Sequence, residues 1–123
     1  MGLRFLKIAV VYLLVGTTLG WYMGMHEVFT LAPVHAHLNL LGWVSLALAG
    51  VIYHLYPAAG ETRLAKIHFW IHNLSLPPFM VALAIFLSGT LAAGPVVGIF
   101  ATVMIIGLAC FVINVLMNAK AAT

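Results

Sequence analysis

Two histidines stand two positions apart at the start of an apolar stretch, in the sequence His35-Ala36-His37. Neutral imidazole is a common ligand of transition metals, including haem iron. Successive residues of an α-helix turn by about 100°, so residues two apart point about 200° away from each other. The two side chains therefore face different neighbours and cannot converge on one small metal ion.

The predicted second helix begins at Pro33 or Val34, which places both histidines in its first turn. The positive end of the helix dipole disfavours a charged imidazolium there and keeps both rings neutral. One interpretation is that His35 and His37 are axial ligands of haem iron, each for a cofactor on its own side of the helix. The alternative is two histidines solvated by lipid headgroups, and the spacing alone leaves both open.

Another metal hypothesis uses the residues just before this helix. Met23, Met25 and His26 carry thioether and imidazole groups, which suit Cu(I). His35 or His37 would complete such a copper site. Methionine is also an ordinary residue of membrane helices, so copper stays an alternative to haem.

A further group of ionisable residues, His54, Glu61, His68 and His72, lies in the middle of the chain. His68 and His72 are four residues apart and share a helix face, which is metal-ligand spacing. With His54 they would form a three-histidine metal site. We favour the other interpretation, in which these histidines are structural and hydrogen-bond to loop carbonyls or to Glu61.

The composition indicates the environment of these residues. Of 123 residues, 65% are hydrophobic and 6% are charged, which is too apolar for a soluble globular domain. The sequence therefore predicts an integral membrane protein that is embedded in the lipid bilayer. A net charge of +3 is too small and too scattered for nucleic-acid binding, and the single Cys110 is predicted to be an inert buried thiol.

Four segments contain the roughly 20 apolar residues that a membrane span requires. They cover about residues 3–25, 34–56, 67–87 and 95–117. The first is predicted to be an uncleaved span and not a signal peptide. Because the connections are short, neighbouring helices are antiparallel. The sequence thus predicts an all-α fold, an integral membrane four-helix bundle that forms a single domain over residues 1–123.

Small residues repeat along three of the four predicted helices. They are Gly16, Gly20 and Gly24; Gly42, Ser45 and Ala49; and Gly94, Gly98 and Ala101. Such stripes let helix backbones approach closely. The three stripes provide more surface for close helix packing than a single four-helix bundle can use internally, so we expect a homo-oligomer.

Three linked motifs in the second and third helices carry a family resemblance. They are His35-Ala36-His37, Tyr53-His54-Leu55-Tyr56-Pro57 and Ala65-Lys66-Ile67-His68-Phe69-Trp70. In this order and spacing they resemble the tenth and eleventh helices of subunit I of the haem-copper oxidase superfamily, which includes cytochrome c oxidases and nitric oxide reductases. The resemblance implies that His35 ligates a high-spin haem and His37 a low-spin haem, and that the other two motifs are structural.

The chain also departs from this family in ways that bear on activity. Family members have twelve core helices, with three copper-binding histidines on the sixth and seventh, and this sequence has neither. A monomer therefore cannot contain the dioxygen-reducing centre, and we do not predict an enzyme from a stand-alone chain. The basic pair that holds haem propionates in the family is also missing, because residues 88–94 contain no Lys or Arg.

The family core consists of three four-helix arcs about a pseudo-threefold axis, and this chain has the length of one arc. The resemblance therefore implies a homotrimer that rebuilds the twelve-helix ring. It also implies a function, the binding of b-type haem (haem b) for electron transfer or for sensing O2 or NO, with an unidentified redox partner. The alternative class is a copper- or haem-handling or assembly protein without redox turnover.

The basic residues define a topology. All five, Arg4, Lys7, Arg63, Lys66 and Lys120, fall near the termini or in the second loop, which an even number of spans places on one side. The positive-inside rule makes this side cytoplasmic. We therefore expect a multi-pass protein of a bacterial-type inner (cytoplasmic) membrane, with both termini inside and with His35 and His37 near the outer surface.

This topology predicts the outcome of reporter fusions at the carboxy terminus. A fluorescent protein that matures only in the cytoplasm should be bright there, and a phosphatase active only in the periplasm should be inactive, because the basic residues hold that end inside. The same phosphatase fused after residue 91, in the third loop, is the positive control. The opposite pattern would show that the orientation is reversed.

Overall fold

The computed structural model describes residues 1–121, which form helices joined by short connections. The elements are α1 (Gly2–His26), α2 (Ala32–Leu55), the short α3 (Pro57–Gly60), α4 (Arg63–Leu87), a 3-10 turn (Leu91–Ala93) and α5 (Gly94–Asn118). Helices α1, α2, α4 and α5 are long and apolar enough to cross a membrane. The predicted all-α fold with four such helices is confirmed over the described residues.

The two ends of the bundle differ in the residues they carry. Met1, Ala59 and Ala119 belong to one apolar cluster, so both chain ends and α3 lie together at what we call the terminal end. The opposite end carries His35 and His37 and is called the histidine end. The antiparallel order predicted from the short connections follows from this arrangement.

Helix α4 begins four residues before the predicted span. Thr62 caps it, because the side-chain oxygen of Thr62 accepts a hydrogen bond of 3.1 Å from the amide of Ala65. The predicted start was late because it was set by the first run of apolar residues. The first turn of the helix contains the charged residues Arg63 and Lys66 and was therefore not counted.

Helix α2 changes its helical form partway along. Its successive parts are α-helical Ala32–His37, π-helical Leu38–Val44 and α-helical Ser45–Leu55. At the end of the π-helix the amide of Ser45 donates to the carbonyl of Leu40, five residues back, and Oγ of Ser45 donates to the same oxygen at 2.6 Å. π-helical turns are rare and occur frequently at functional sites. No sequence pattern predicted this segment, which begins directly after His37.

Helix α4 is continuous through Pro77 and Pro78. Proline lacks an amide hydrogen, so the carbonyls four residues earlier lose their usual donors. The Asn73 side chain lies in this region. Its Nδ2 donates to the carbonyl of Phe69 at 2.8 Å. Its Oδ1 is the one buried side-chain polar atom within residues 1–121 that has no hydrogen-bond partner.

Helices α1 and α2 approach each other closely at glycines. A Cβ atom at Gly50 would lie 2.7 Å from the carbonyl oxygen of Gly2, and one at Gly16 would lie 2.8 Å from Oδ1 of Asn39. At Gly98, by contrast, a Cβ atom would meet no neighbouring atom within 4 Å. Part of the predicted small-residue stripes is therefore used inside the chain.

The close approach predicts how two glycine-to-alanine changes differ. Gly50→Ala should lower the free energy of unfolding by about 1–3 kcal/mol, because its Cβ would overlap backbone that cannot rotate away. Gly98→Ala, the matched control on α5, should be neutral or stabilising by up to about 1 kcal/mol, because alanine favours helix. Thermal unfolding in detergent, followed by circular dichroism, measures both. Equal effects would show that the α1–α2 contact is not close.

Candidate functional site

The His35 side chain is half-buried between α2 and α1. Its Nδ1 lies 2.8 Å from the carbonyl oxygen of Gly16. Because a carbonyl can only accept, Nδ1 carries the proton and Nε2 of the neutral ring keeps its lone pair. The ring fits here because Gly20 has no side chain. A Cβ atom at Gly20 would lie 2.6 Å from Cε1 of His35.

His37 points to another side of α2, toward α4. Its Nδ1 lies 2.6 Å from the carbonyl oxygen of Pro33, one turn earlier, so Nδ1 again donates and Nε2 keeps its lone pair. The ring meets Phe79 edge-on, with 5.6 Å between the ring centroids. His37 also lines an open groove of about 360 Å³, whose walls include Met104 and Leu108 of α5.

The backbone fixes the tautomer of both rings in the same way. Histidines that ligate metals almost always donate their other ring N–H to a carbonyl, a carboxylate or water, which orients the ring and raises its basicity. His35 and His37 have this arrangement, each with a free Nε2. Because the two rings face different helices, each can give one ligand to a metal, and they cannot ligate the same ion together.

Four residues form a hydrogen-bonded chain in the interior, which we call the histidine bridge. Nε2 of His72 lies 2.8 Å from the carbonyl oxygen of Leu41 and must donate to it. His72 therefore accepts at Nδ1, where Nε2 of His68 donates at 3.0 Å. His68 in turn accepts at Nδ1, 3.0 Å from the hydroxyl of Tyr53. A single carbonyl thus sets every proton position along the bridge.

The bridge bears on the two interpretations of His68 and His72. Both side chains are 0% exposed, and all four ring nitrogens have hydrogen-bond partners. No lone pair remains for a metal ion, so the geometry agrees with the structural interpretation. The partners differ from the expected loop carbonyls and Glu61. They are a tyrosine hydroxyl and a carbonyl of the π-helix.

His54 lies away from this pair. Its side chain is exposed and lines a pocket of about 230 Å³ at the terminal end, together with Met1 and Glu61. Across residues 1–121, no three His, Cys, Asp or Glu side chains are grouped closely enough to hold a metal ion. The structure therefore does not bring His54, His68 and His72 together as a three-histidine site.

The alternative copper ligands are also spread over α1. Met23 is 5% exposed and Met25 is 67% exposed, so the two thioethers lie on different faces of the helix. His26 stacks on Tyr22, with ring centroids 4.3 Å apart, and its Nδ1 donates to the carbonyl of Tyr22 at 3.0 Å. Within the chain these three side chains do not converge on one point.

A polar cluster at the terminal end was missed in the sequence. Asn114 is fully buried. Its Nδ2 donates to the carbonyl of Ala59 at 3.0 Å, and its Oδ1 lies 2.9 Å from both Oγ1 of Thr62 and Nδ2 of Asn118. An amide inside an otherwise apolar helix was the available signal, since polar groups at membrane depth need partners. The cluster joins α5 to the cap of α4.

No protein-family model, no curated protein and no solved structure matches this chain. The fold and composition define an all-helical, multi-pass membrane protein. Its functional assignment therefore depends on the geometry of its histidines.

The histidine bridge predicts different effects of two histidine substitutions. His68→Leu should lower the free energy of unfolding by about 1–3 kcal/mol, because the Tyr53 hydroxyl and Nδ1 of His72 lose their partners in the interior. His54→Leu, the matched control at an exposed position, should change it by no more than about 0.5 kcal/mol. Chemical unfolding in mixed micelles measures both. Loss of a stoichiometric metal from the His68→Leu protein would instead support a metal site.

Proposed function

We propose that this protein binds b-type haem, with Nε2 of His35 and Nε2 of His37 as axial ligands, and that it transfers electrons. The observation that supports this most directly is the pair of hydrogen bonds from Nδ1 to the carbonyls of Gly16 and Pro33. They leave two oriented imidazoles in the ligating tautomer. The resemblance of the surrounding motifs to oxidase subunit I points to the same cofactor.

The surroundings of both rings suit a flat apolar macrocycle. On α1, the ring of His35 lies over Gly20, and one turn later a Cβ atom at Gly24 would meet no neighbouring atom within 4 Å, so the helix surface is open there. Next to His37, the groove between α2 and α5 has apolar walls and a ring edge from Phe79. Ligand pockets for large planar groups have this character, with few polar groups and much apolar surface.

One chain cannot supply both axial ligands to one iron, because the two free nitrogens lie on different sides of α2. We propose that His35 of one chain and His37 of the next hold each haem. Contacts between two different surfaces of identical chains form a ring where the rotation between neighbouring chains closes. A homotrimer of this kind has twelve spanning helices and up to three equivalent haem sites.

Electron transfer follows from the number of ligands. Haem, when bound, supplies a one-electron change at iron. If His35 and His37 both ligate the iron, no position would remain for O2 or NO, and a gas sensor needs an open position. The hydrogen bonds from both rings to backbone carbonyls would keep the imidazoles in place during that change.

We further infer that both termini lie in the cytoplasm of a bacterial-type inner membrane, because the basic residues cluster at the terminal end. The histidine end, and with it the haem, then lies near the outer surface. A redox partner would reach the haem from that side.

The shared site predicts the spectra of two single variants. His35→Ala and His37→Ala should each abolish the six-coordinate low-spin haem spectrum, because every iron loses one axial ligand. His26→Ala, an exposed histidine that hydrogen-bonds within its own helix, is the matched control and should keep it. Absorption and electron paramagnetic resonance spectra of the purified protein measure the result. Binding of carbon monoxide to the reduced wild type at full stoichiometry would favour gas sensing instead.

Mixed oligomers separate a shared site from a site within one chain. Co-expression of the two variants with different affinity tags, followed by tandem purification, should restore part of the low-spin spectrum, since some interfaces join an intact His35 to an intact His37. No recovery in assembled mixed oligomers, or low-spin haem in a monomeric wild type, would contradict the shared site. A wild-type protein with no haem spectrum would overturn the proposed function as a whole.

A further inference from the structure

The histidine bridge connects two parts of the same helix by way of another helix. Leu41 lies in the π-helix of α2, and Tyr53 lies in the last turns of α2. Between them the bridge passes through His68 and His72, which are both on α4. The two imidazoles therefore fix where Leu41 lies relative to Tyr53.

The carbonyl of Leu41 is an unusual acceptor. In a regular α-helix it would accept from the amide of Ser45, four residues later. Here that amide bonds to Leu40 instead, and the Leu41 carbonyl accepts from Nε2 of His72. The bond from α4 thus stabilises a backbone arrangement that exists in the π-helical form.

The helical form of this segment controls the direction of the outer histidines. A π-helix accommodates one more residue than the α-helix it replaces, and one residue corresponds to a rotation of about 100° and a rise of about 1.5 Å. The segment lies between His37 and the part of α2 that is packed on α1. If it became α-helical, His35 would turn away from the carbonyl of Gly16.

Close packing makes such a rotation an all-or-none change. The ring of His35 occupies the space over Gly20, and Gly42 packs against the ring of Tyr12. His37 sits edge-on to Phe79. All of these contacts require the same rotational position of the outer part of α2. A different rotational position would break them together.

We propose that His68 and His72 are positioning residues, which hold the π-helix of α2 through the Leu41 carbonyl and so determine which neighbours His35 and His37 face. The effect on helix rotation does not depend on haem. The effect on a haem spectrum rests on the proposed function. Separate measurements distinguish the two effects.

Disulfide cross-links report the rotation of α2 without any cofactor. A Cβ atom at Gly16 would lie 3.0 Å from Cγ of Asn39, so cysteines at these positions come close to the Cβ separation of about 3.5–4.5 Å that a disulfide needs. Cysteines at Ile71 and Gly107 form the reference pair, because a Cβ atom at Gly107 would lie 3.3 Å from Cβ of Ile71 and would meet no backbone atom closer than 3.5 Å. The native Cys110 is replaced by Ala in all variants.

The experiment compares three versions of residue 72 in the full chain, with copper phenanthroline as oxidant. In the wild type both pairs should cross-link. His72→Leu should slow the Gly16/Asn39 cross-link at least fivefold and leave the Ile71/Gly107 cross-link unchanged. His72→Gln should restore most of the rate, because its amide nitrogen can still donate to Leu41. His26→Gln is the control outside the bridge. An unchanged Gly16/Asn39 rate in His72→Leu would overturn the proposal.

A second variant covers the case in which His72→Leu does not assemble, recognised by loss of both cross-links. Tyr53→Phe keeps the aromatic packing on Phe5 and Phe111 and removes only the donor at the far end of the bridge. It should slow the Gly16/Asn39 cross-link selectively, by about twofold. Unchanged cross-linking in Tyr53→Phe would then overturn the proposal.

The spectroscopic arm tests the link to haem in the chain without engineered cysteines. His72→Leu should lower the low-spin haem signal, and His72→Gln should recover it. If the wild type shows no haem signal while the cross-links respond as expected, the proposed function fails and the positioning role stands. If the cross-links and the haem signal are both unchanged in His72→Leu, the positioning role fails alone.

Discussion

Inside a membrane no water replaces a missing hydrogen bond, so a buried polar group without a partner in the protein is costly. In this chain the bond from His72 to the Leu41 carbonyl meets that constraint for several groups together. It occupies a backbone acceptor of the π-helix, and it sets the proton positions of His72, His68 and Tyr53. Removing it would leave the Leu41 carbonyl and Nε2 of His72 without partners and would free the proton positions along the rest of the bridge.

The same chemistry separates the two pairs of histidines. A neutral imidazole has one donor and one acceptor. In the bridge both are used, so His68 and His72 hold the fold together and have no ligand to offer. At the histidine end a backbone carbonyl uses only the donor of His35 and of His37. The acceptor nitrogen, Nε2, therefore stays free in His35 and His37. This free acceptor identifies them as the candidate site.

Sequence patterns predicted the features that depend on composition and helical period. Hydropathy gave the four helices, and the spacing of His35 and His37 gave their different directions. The start of α4 was missed because it depends on the Thr62 cap. The π-helix was missed because it depends on a contact between Leu41 and a residue 31 positions later. Neither the hydropathy nor the period of α2 contains information about that contact.

The two directions of the free nitrogens also constrain assembly. Under the proposed function each chain carries two half-sites on different sides of α2, and two half-sites on different surfaces cannot pair within one chain. A two-fold dimer pairs each surface with itself, whereas pairing one surface with the other gives a ring where the rotation closes and a filament where it does not. The rotation of α2 sets the angle between the half-sites, so the π-helix and the bridge that holds it would also determine whether that ring closes.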